Sequence, residues 1–227
     1  MNPLGTFTLP DVEGQFVPCT IEWIAEVEDW DFAEDWKKQD VGNHDPRIRD
    51  SIDYALTGAK RWRWLSEENF CARNANDAAK RIKKDGSTEF AFALALSVSF
   101  EGRKQTIGFC YARRLWLGTV CLEFLGTHNI RGFSGIGSLL LYAVAEASRR
   151  FKAVDIWGEC TSDSQGFYRK TKAKLLHGEL KDALKPGNSD PKHPRDWQLP
   201  GDVDDRFTFR RRELILMSDL FRAAQMR

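Results

Sequence analysis

Thr119 to Lys170 reads TVCLEFLGTHNIRGFSGIGSLLLYAVAEASRRFKAVDIWGECTSDSQGFYRK. An apolar strand, Thr119 to Thr127, leads into a glycine loop, Gly132-Phe133-Ser134-Gly135-Ile136-Gly137. The loop opens a helix from Ile136 to Arg150, with Ile136, Leu139, Leu140, Ala143, Val144 and Ala147 on one face. A second strand, Ala153 to Cys160, follows, and then a polar turn and a helix start carrying Phe167-Tyr168. Closely spaced glycines let backbone N–H groups converge, and a helix N-terminus adds partial positive charge. The stretch therefore predicts an anion cradle suited to a phosphate or pyrophosphate.

Upstream of it, Phe90 to Phe100, Gln105 to Leu115 and Thr119 to Thr127 read as three strands joined by short glycine-bearing turns, an antiparallel meander. The strand–helix–strand unit that follows implies a right-handed parallel crossover. The expected fold class is α/β with a mixed sheet, antiparallel first and parallel at the glycine loop. Residues 1–20 predict an extended lead-in, 47–65 a helix and 66–85 another ending in Lys80-Arg81-Ile82-Lys83-Lys84. A helix over Ser164 to Lys172, a strand over Leu175 to Leu180 and a last, exposed edge strand over Arg206 to Met217 complete the reading. Four prolines and two glycines between Lys181 and Asp205 predict a loop or lid.

With 227 residues the chain can bury a substantial core, and its net charge of +1 carries no global field toward DNA or a membrane. No apolar run reaches membrane-spanning length, and the first residues lack the pattern of a secretory signal. The five cysteines are odd in number and widely spaced, with no CxxC pair. They predict reduced thiols, a cytoplasmic setting and no metal site.

The glycine spacing narrows the ligand. Gly132, Gly135 and Gly137 give G-x-x-G-x-G, the reverse of the dinucleotide order, and antiparallel strands precede them. Gly132 to Gly137 fits the first half of a P-loop, but Ser138 and Leu139 stand where the phosphate-binding Lys is needed. Dinucleotide binding and nucleotide hydrolysis are poorly supported.

The run Arg131-Gly132-Phe133-Ser134-Gly135-Ile136-Gly137-Ser138-Leu139-Leu140 resembles the central motif of the GNAT superfamily of acyl-CoA-dependent N-acyltransferases, Arg/Gln-x-x-Gly-x-Gly/Ala. Arg131 lies four residues before Gly135 where that family has three. Phe167-Tyr168-Arg169-Lys170, after Thr161 and Ser164, resembles the family's later Phe-Tyr-x-Lys, without the Gly-Phe that commonly follows. The resemblance covers residues 89–180 best and implies one domain over 1–227.

It also implies a chemistry. Leu125 and Thr127 would face the pantetheine of acetyl-CoA, the co-substrate. The loop Arg131, Gly132, Phe133, Ser134, Gly135, Ile136, Gly137 and Ser138, with Ser164, would hold its pyrophosphate. A primary amine would attack the thioester directly, with Tyr168 as general acid on the leaving sulfur. Glu123, within the apolar VCLEFL and sharing a face with Cys121 and Leu125, is the candidate base, Glu159 the second candidate, and His128 a possible assistant. Pairing of Glu123 with Arg113 or Arg114 is the structural alternative for it.

Three further features bear on partners. Nine acids and no Lys or Arg lie between Asp11 and Asp35, either as a solvated face or as a wall favouring a cationic acceptor, small molecule or protein. Lys60-Arg61-Trp62-Arg63-Trp64 and Phe207-Thr208-Phe209-Arg210-Arg211-Arg212 mix bases with aromatics, the sole support for an acyltransferase acting on aminoacyl-tRNA. A non-catalytic module that holds acyl-CoA is the other alternative, and a homodimer is compatible with either.

Overall fold

The computed structural model describes residues 3–40, 45–100, 102–128, 132–180 and 206–225. Seven strands form one sheet in chain order: β1 Pro3–Pro10, β2 Phe16–Trp23, β3 Phe90–Phe100, β4 Arg103–Arg114, β5 Val120–Thr127, β6 Asp155–Glu159 and β7 Arg206–Arg210. Every neighbouring pair is antiparallel except β5 and β6. The helices are α1 Phe32–Gln39, α2 Pro46–Glu67, α3 Ala75–Lys84, α4 Ile136–Arg150, α5 Ser162–Leu180 and α6 Arg211–Ala224, with a 3-10 turn at Val27–Trp30.

β3 explains the layering. Phe90, Phe92, Leu94, Leu96 and Val98 face a core shared with α4 and α6. Ala91, Ala93 and Ala95 alternate onto the other face, where small side chains leave room for Trp30, Trp36, Trp62, Phe109 and Tyr111 beneath α1 and α2. A strand covered on both faces has no solvent side, hence its nearly unbroken apolar run.

The expected mixed sheet and crossover are present, and α4 spans the predicted residues. Four local expectations are corrected. The lead-in is a paired hairpin, β1 against β2 from Gly5↔Ile21 to Pro10↔Phe16. The helix expected over 66–85 starts only at Ala75, because the Asn74 side chain accepts from the Asn76 and Asp77 N–H groups at 3.0 Å each. Before it, Phe70 and Ala72 exchange backbone bonds with Ala91 instead. The strand expected over 175–180 belongs to α5: Tyr168, Thr171, Lys172 and Leu175 are all buried at helical spacing. The last strand stops at Arg210, whose N–H donates to the Glu213 carboxylate at 3.0 Å and opens α6. β7 is an edge strand, but Phe207 and Phe209 are buried rather than exposed. The lid expected over 181–205 lies outside the described residues.

No helix among the described residues is long and apolar enough to cross a membrane. The five cysteines are free thiols, four of them buried.

Candidate active site

β5 and β6 pair only at Val120↔Ile156 and Cys121↔Trp157. There they come very close: a Cβ on Gly158 would lie 2.6 Å from the Leu122 carbonyl oxygen, which a side chain would prevent. Beyond that point no β6 residue pairs with β5, although β4 stays paired along its other edge as far as Gly108↔Thr127. Two parallel neighbours that part in mid-strand leave a wedge with unpaired backbone along one side.

A cleft of about 410 Å³ occupies this wedge. Its walls come from four places: Leu125 and Thr127 of β5, Gly135, Gly137 and Ser138 at the start of α4, Thr161, Ser164, Phe167 and Tyr168 around the start of α5, and Arg47, Asp50, Ser51 and Tyr54 of α2. The α4 wall is polar through its backbone. Gly135 is the N-cap, left-handed at φ 87°, with no side-chain cap, and the first intrahelical bond runs from Leu139 N–H to Gly135 at 2.9 Å. The N–H groups of the first turn have no acceptor within the helix, so they suit an anion.

Not all of the loop is available. The Ser134 N–H donates to the Pro10 carbonyl at 3.1 Å, tying the loop to the β1–β2 turn. Phe133 and Ile136 are buried in the core, and Gly132 abuts Val12. Of the residues expected to hold a pyrophosphate, Gly135, Gly137, Ser138 and Ser164 line the cleft, while Gly132, Phe133, Ser134 and Ile136 are not in its lining. Arg131 lies outside the described residues.

Tyr168 is the buried end of the cleft. It is 8 % exposed and stacks on Phe207, with centroids 3.8 Å apart and planes 10° apart. Burial pushes its phenol above the ordinary tyrosine value, and the neighbouring Cys160, Cys110 and Tyr54 add to this. The proton is held firmly and the group is a donor at neutral pH. Across the cleft Tyr54 stacks on Phe124 at 5.5 Å, and its phenol is also raised by burial, with the Asp50 charge adding. Cys110, beside Tyr168, is pushed up to about 12 by burial, so this thiol is no nucleophile at neutral pH.

Glu123 takes the structural alternative, pairing with Arg113, and it does not share a face with Leu125. Leu122 pairs with Ala112 and Phe124 with Tyr111, so Glu123 is the extra residue of a β-bulge. The bulge breaks alternation: Leu122 and Leu125 both enter the α4-side core, and Glu123 turns toward α2. There one carboxylate oxygen accepts from Arg61 Nη1 at 2.5 Å and the other from Arg113 Nε. Glu159, 70 % exposed, pairs with Arg206 at 3.5 Å. Neither carboxylate is in the cleft lining. His128 is fully buried, stacked on Trp36 at 4.8 Å and bonded to Asp40.

The acidic stretch also lies elsewhere. No residue from Asp11 to Asp35 lines the cleft. Glu22 pairs with Lys104, Glu26 with Arg73 at 3.2 Å, and Asp29 accepts the Ala25 and Glu26 N–H groups. In the two basic–aromatic runs Trp62, Phe207 and Phe209 are core residues, while Trp64 is 64 % exposed, so one of their four rings is open to stacking.

The sequence reading missed Arg47, Asp50, Ser51 and Tyr54. Their i, i+3, i+4, i+7 spacing marks one helical face, but nothing local says that the face meets β5. Ser51 Oγ does so directly, accepting the Thr127 N–H at 3.3 Å.

No protein-family model matches the chain, and no curated protein does. Among solved structures it is similar to a GNAT-family protein from Desulfovibrio desulfuricans, at 13% identity over 68% of this chain and 82% of that one, with a TM-score of 0.41. It is also similar to a PaiA N-acetyltransferase from Thermoplasma acidophilum in complex with coenzyme A, at 13% identity over 75% and 93%, with a TM-score of 0.33. At such distances the functional reading rests on the residues of this chain.

Proposed function

We propose that the chain is an N-acetyltransferase of the GNAT type, transferring an acetyl group from acetyl-CoA to a primary amine by direct attack. The observation that carries this reading is the parting of β5 and β6 over a cleft walled by the uncapped start of α4. The open edge of β5 suits the amides of a pantetheine arm, Leu125 and Phe167 its methylenes, and the α4 amides at Gly135 to Ser138 a pyrophosphate. Acetyl-CoA supplies an activated thioester carbonyl. The amine nitrogen forms a bond to that carbonyl carbon, the carbon–sulfur bond breaks, and Tyr168 gives its phenolic proton to the sulfur. The proton shed by the new amide nitrogen restores the phenol, directly or through solvent.

Glu123 could take that proton only by releasing Arg61 or Arg113, so its role in this reading is to orient the two guanidiniums beside the bulge. The same fact favours a second reading, a module that holds acyl-CoA without turnover. The experiment is a thermal shift with acetyl-CoA and with free coenzyme A, followed by thiol release with an amine panel. Ligand at a hundredfold its Kd should raise the midpoint by on the order of 5–10 °C. Gly135→Asp, which puts a carboxylate at the head of α4, should abolish the shift. No shift with either ligand rejects both readings, and a shift without thiol release from any amine selects the second.

A further inference from the structure

The wedge between β5 and β6 is lined from both faces of the sheet, and each face sends a tyrosine into it. Tyr168 belongs to the α4-side core, Tyr54 and Phe124 to the α2-side one. Both phenols stand at the throat, where the strands part. Tyr168 stacks on Phe207, which pairs with Gly158, the residue pressed against the Leu122 carbonyl. Tyr54 stacks on Phe124, just beyond Leu122 on β5. One turn earlier on α2, Ser51 meets Thr127, so α2 runs antiparallel to β5. Its Tyr54 end therefore marks the throat, and Ser51 lies toward the glycine loop. Among the described residues neither phenol has a hydrogen-bond partner. Burial raises both above the ordinary tyrosine value, so both are donors at neutral pH. Strand-edge amides are fewer than the open edge suggests. The His128 N–H goes to Ile107 on β4, so the Thr127 N–H points to the open edge, where Ser51 Oγ already accepts it. A carbonyl oxygen at the throat is thus left largely to side-chain donors.

We propose that Tyr54 is a second catalytic phenol, donating a hydrogen bond to the thioester carbonyl oxygen while Tyr168 serves the sulfur. The inference rests on the acyl-transfer reading and adds a residue to its machinery. Sulfur and oxygen sit on one carbon, so donors entering from the two faces reach both atoms in the plane of the thioester. The amine attacks perpendicular to that plane and is blocked by neither. As the nitrogen–carbon bond forms, the carbonyl π pair moves onto the oxygen. The Tyr54 hydrogen bond strengthens on this growing charge and keeps its proton on the phenol. The pair returns to the carbonyl as the carbon–sulfur bond breaks. A donor aimed at charge that develops only in the transition state acts on kcat rather than on binding.

The test uses the full chain with acetyl-CoA isotope-labelled at the thioester carbonyl, read by difference infrared spectroscopy, for the wild type, Tyr54→Phe and Tyr168→Phe. Tyr54→Phe keeps the ring on Phe124 and removes the donor. The bound carbonyl band should then move to higher frequency, with the acetyl-CoA thermal shift retained. Tyr168→Phe should leave the band in place. In turnover with an amine, Tyr54→Phe should lower kcat on the order of a hundredfold with KM for acetyl-CoA unchanged. A band unmoved by Tyr54→Phe, a lost thermal shift, or a raised KM at unchanged kcat overturns the proposal and leaves acyl transfer standing. A band that moves while no amine releases thiol overturns the catalytic role, keeps the contact and selects the module that holds acyl-CoA. Acetyl-CoA that does not bind the wild type rejects the proposal together with the reading it rests on.

Discussion

In the acyl-transfer reading Tyr168 has to meet two demands that normally conflict, a phenol that keeps its proton and a position open to a reacting group. Burial against Phe207 meets the first and the wedge between β5 and β6 the second. Tyr168→Phe keeps the ring and loses the proton, so kcat should fall on the order of a hundredfold, with the acetyl-CoA thermal shift retained. The sign of the pKa shift fixes the pH profile. A phenol raised above its ordinary value stays protonated everywhere below it, so the rate should show no loss of this acid below about pH 10. A descending limb near pH 8 that vanishes in Tyr168→Phe would contradict the assignment. The position of Tyr168 was legible through the resemblance of Phe167-Tyr168, after a polar turn, to the GNAT motif. For Glu123 the pairing with Arg113 was foreseeable, but not the second arginine or the loss of a face shared with Leu125: a one-residue bulge puts Glu123 and Phe124 both on the α2 side.

Among the elements, α4 forms both the cradle and the centre of one core, and a buried carboxylate fixes it to α6. Glu146 is 1 % exposed and accepts from Ser218 at 2.6 Å, from Arg222 Nε at 3.0 Å and from Arg150 Nε at 2.9 Å. Burial alone would raise its pKa, but the hydrogen bonds from Ser218, Arg222 and Arg150 outweigh it and hold the group below the ordinary range. A depressed carboxylate stabilises the fold above its unfolded pKa, and that stability is lost as pH falls through the folded value. Glu146→Gln should therefore cost about 2 kcal/mol near pH 7. The gap to the wild type should narrow as pH drops below about 4.5, as denaturant melts at several pH values would show. At this scale the periodic elements were readable, α4 and β3 above all. Errors fell where a cap or a buried stripe decides, at Asn74, at Arg210–Glu213 and along α5, because such interactions involve side chains whose partners lie in the next turn.

In the whole molecule, the cleft joins α2, β5, α4 and α5, which are remote in sequence. Binding of coenzyme A should slow amide hydrogen exchange in 46–54 and in 161–170 together, with little change in β1 and β3. Protection confined to the glycine loop would show that α2 is not part of the site. The sequence by itself determined a mixed sheet, its parallel step, the helix behind the glycine loop and the tyrosine beside it, because periodicity, glycine spacing and turn chemistry act over a few residues. Only the tertiary structure decided which loop amides are already taken, that Glu123 is held between two arginines, that the acidic stretch faces elsewhere, and that α2 brings Asp50 and Tyr54 to the wedge. Each of these depends on which surfaces meet across dozens of residues, and that is set by packing on both faces of β3 and by the bulge in β5 rather than by local pattern.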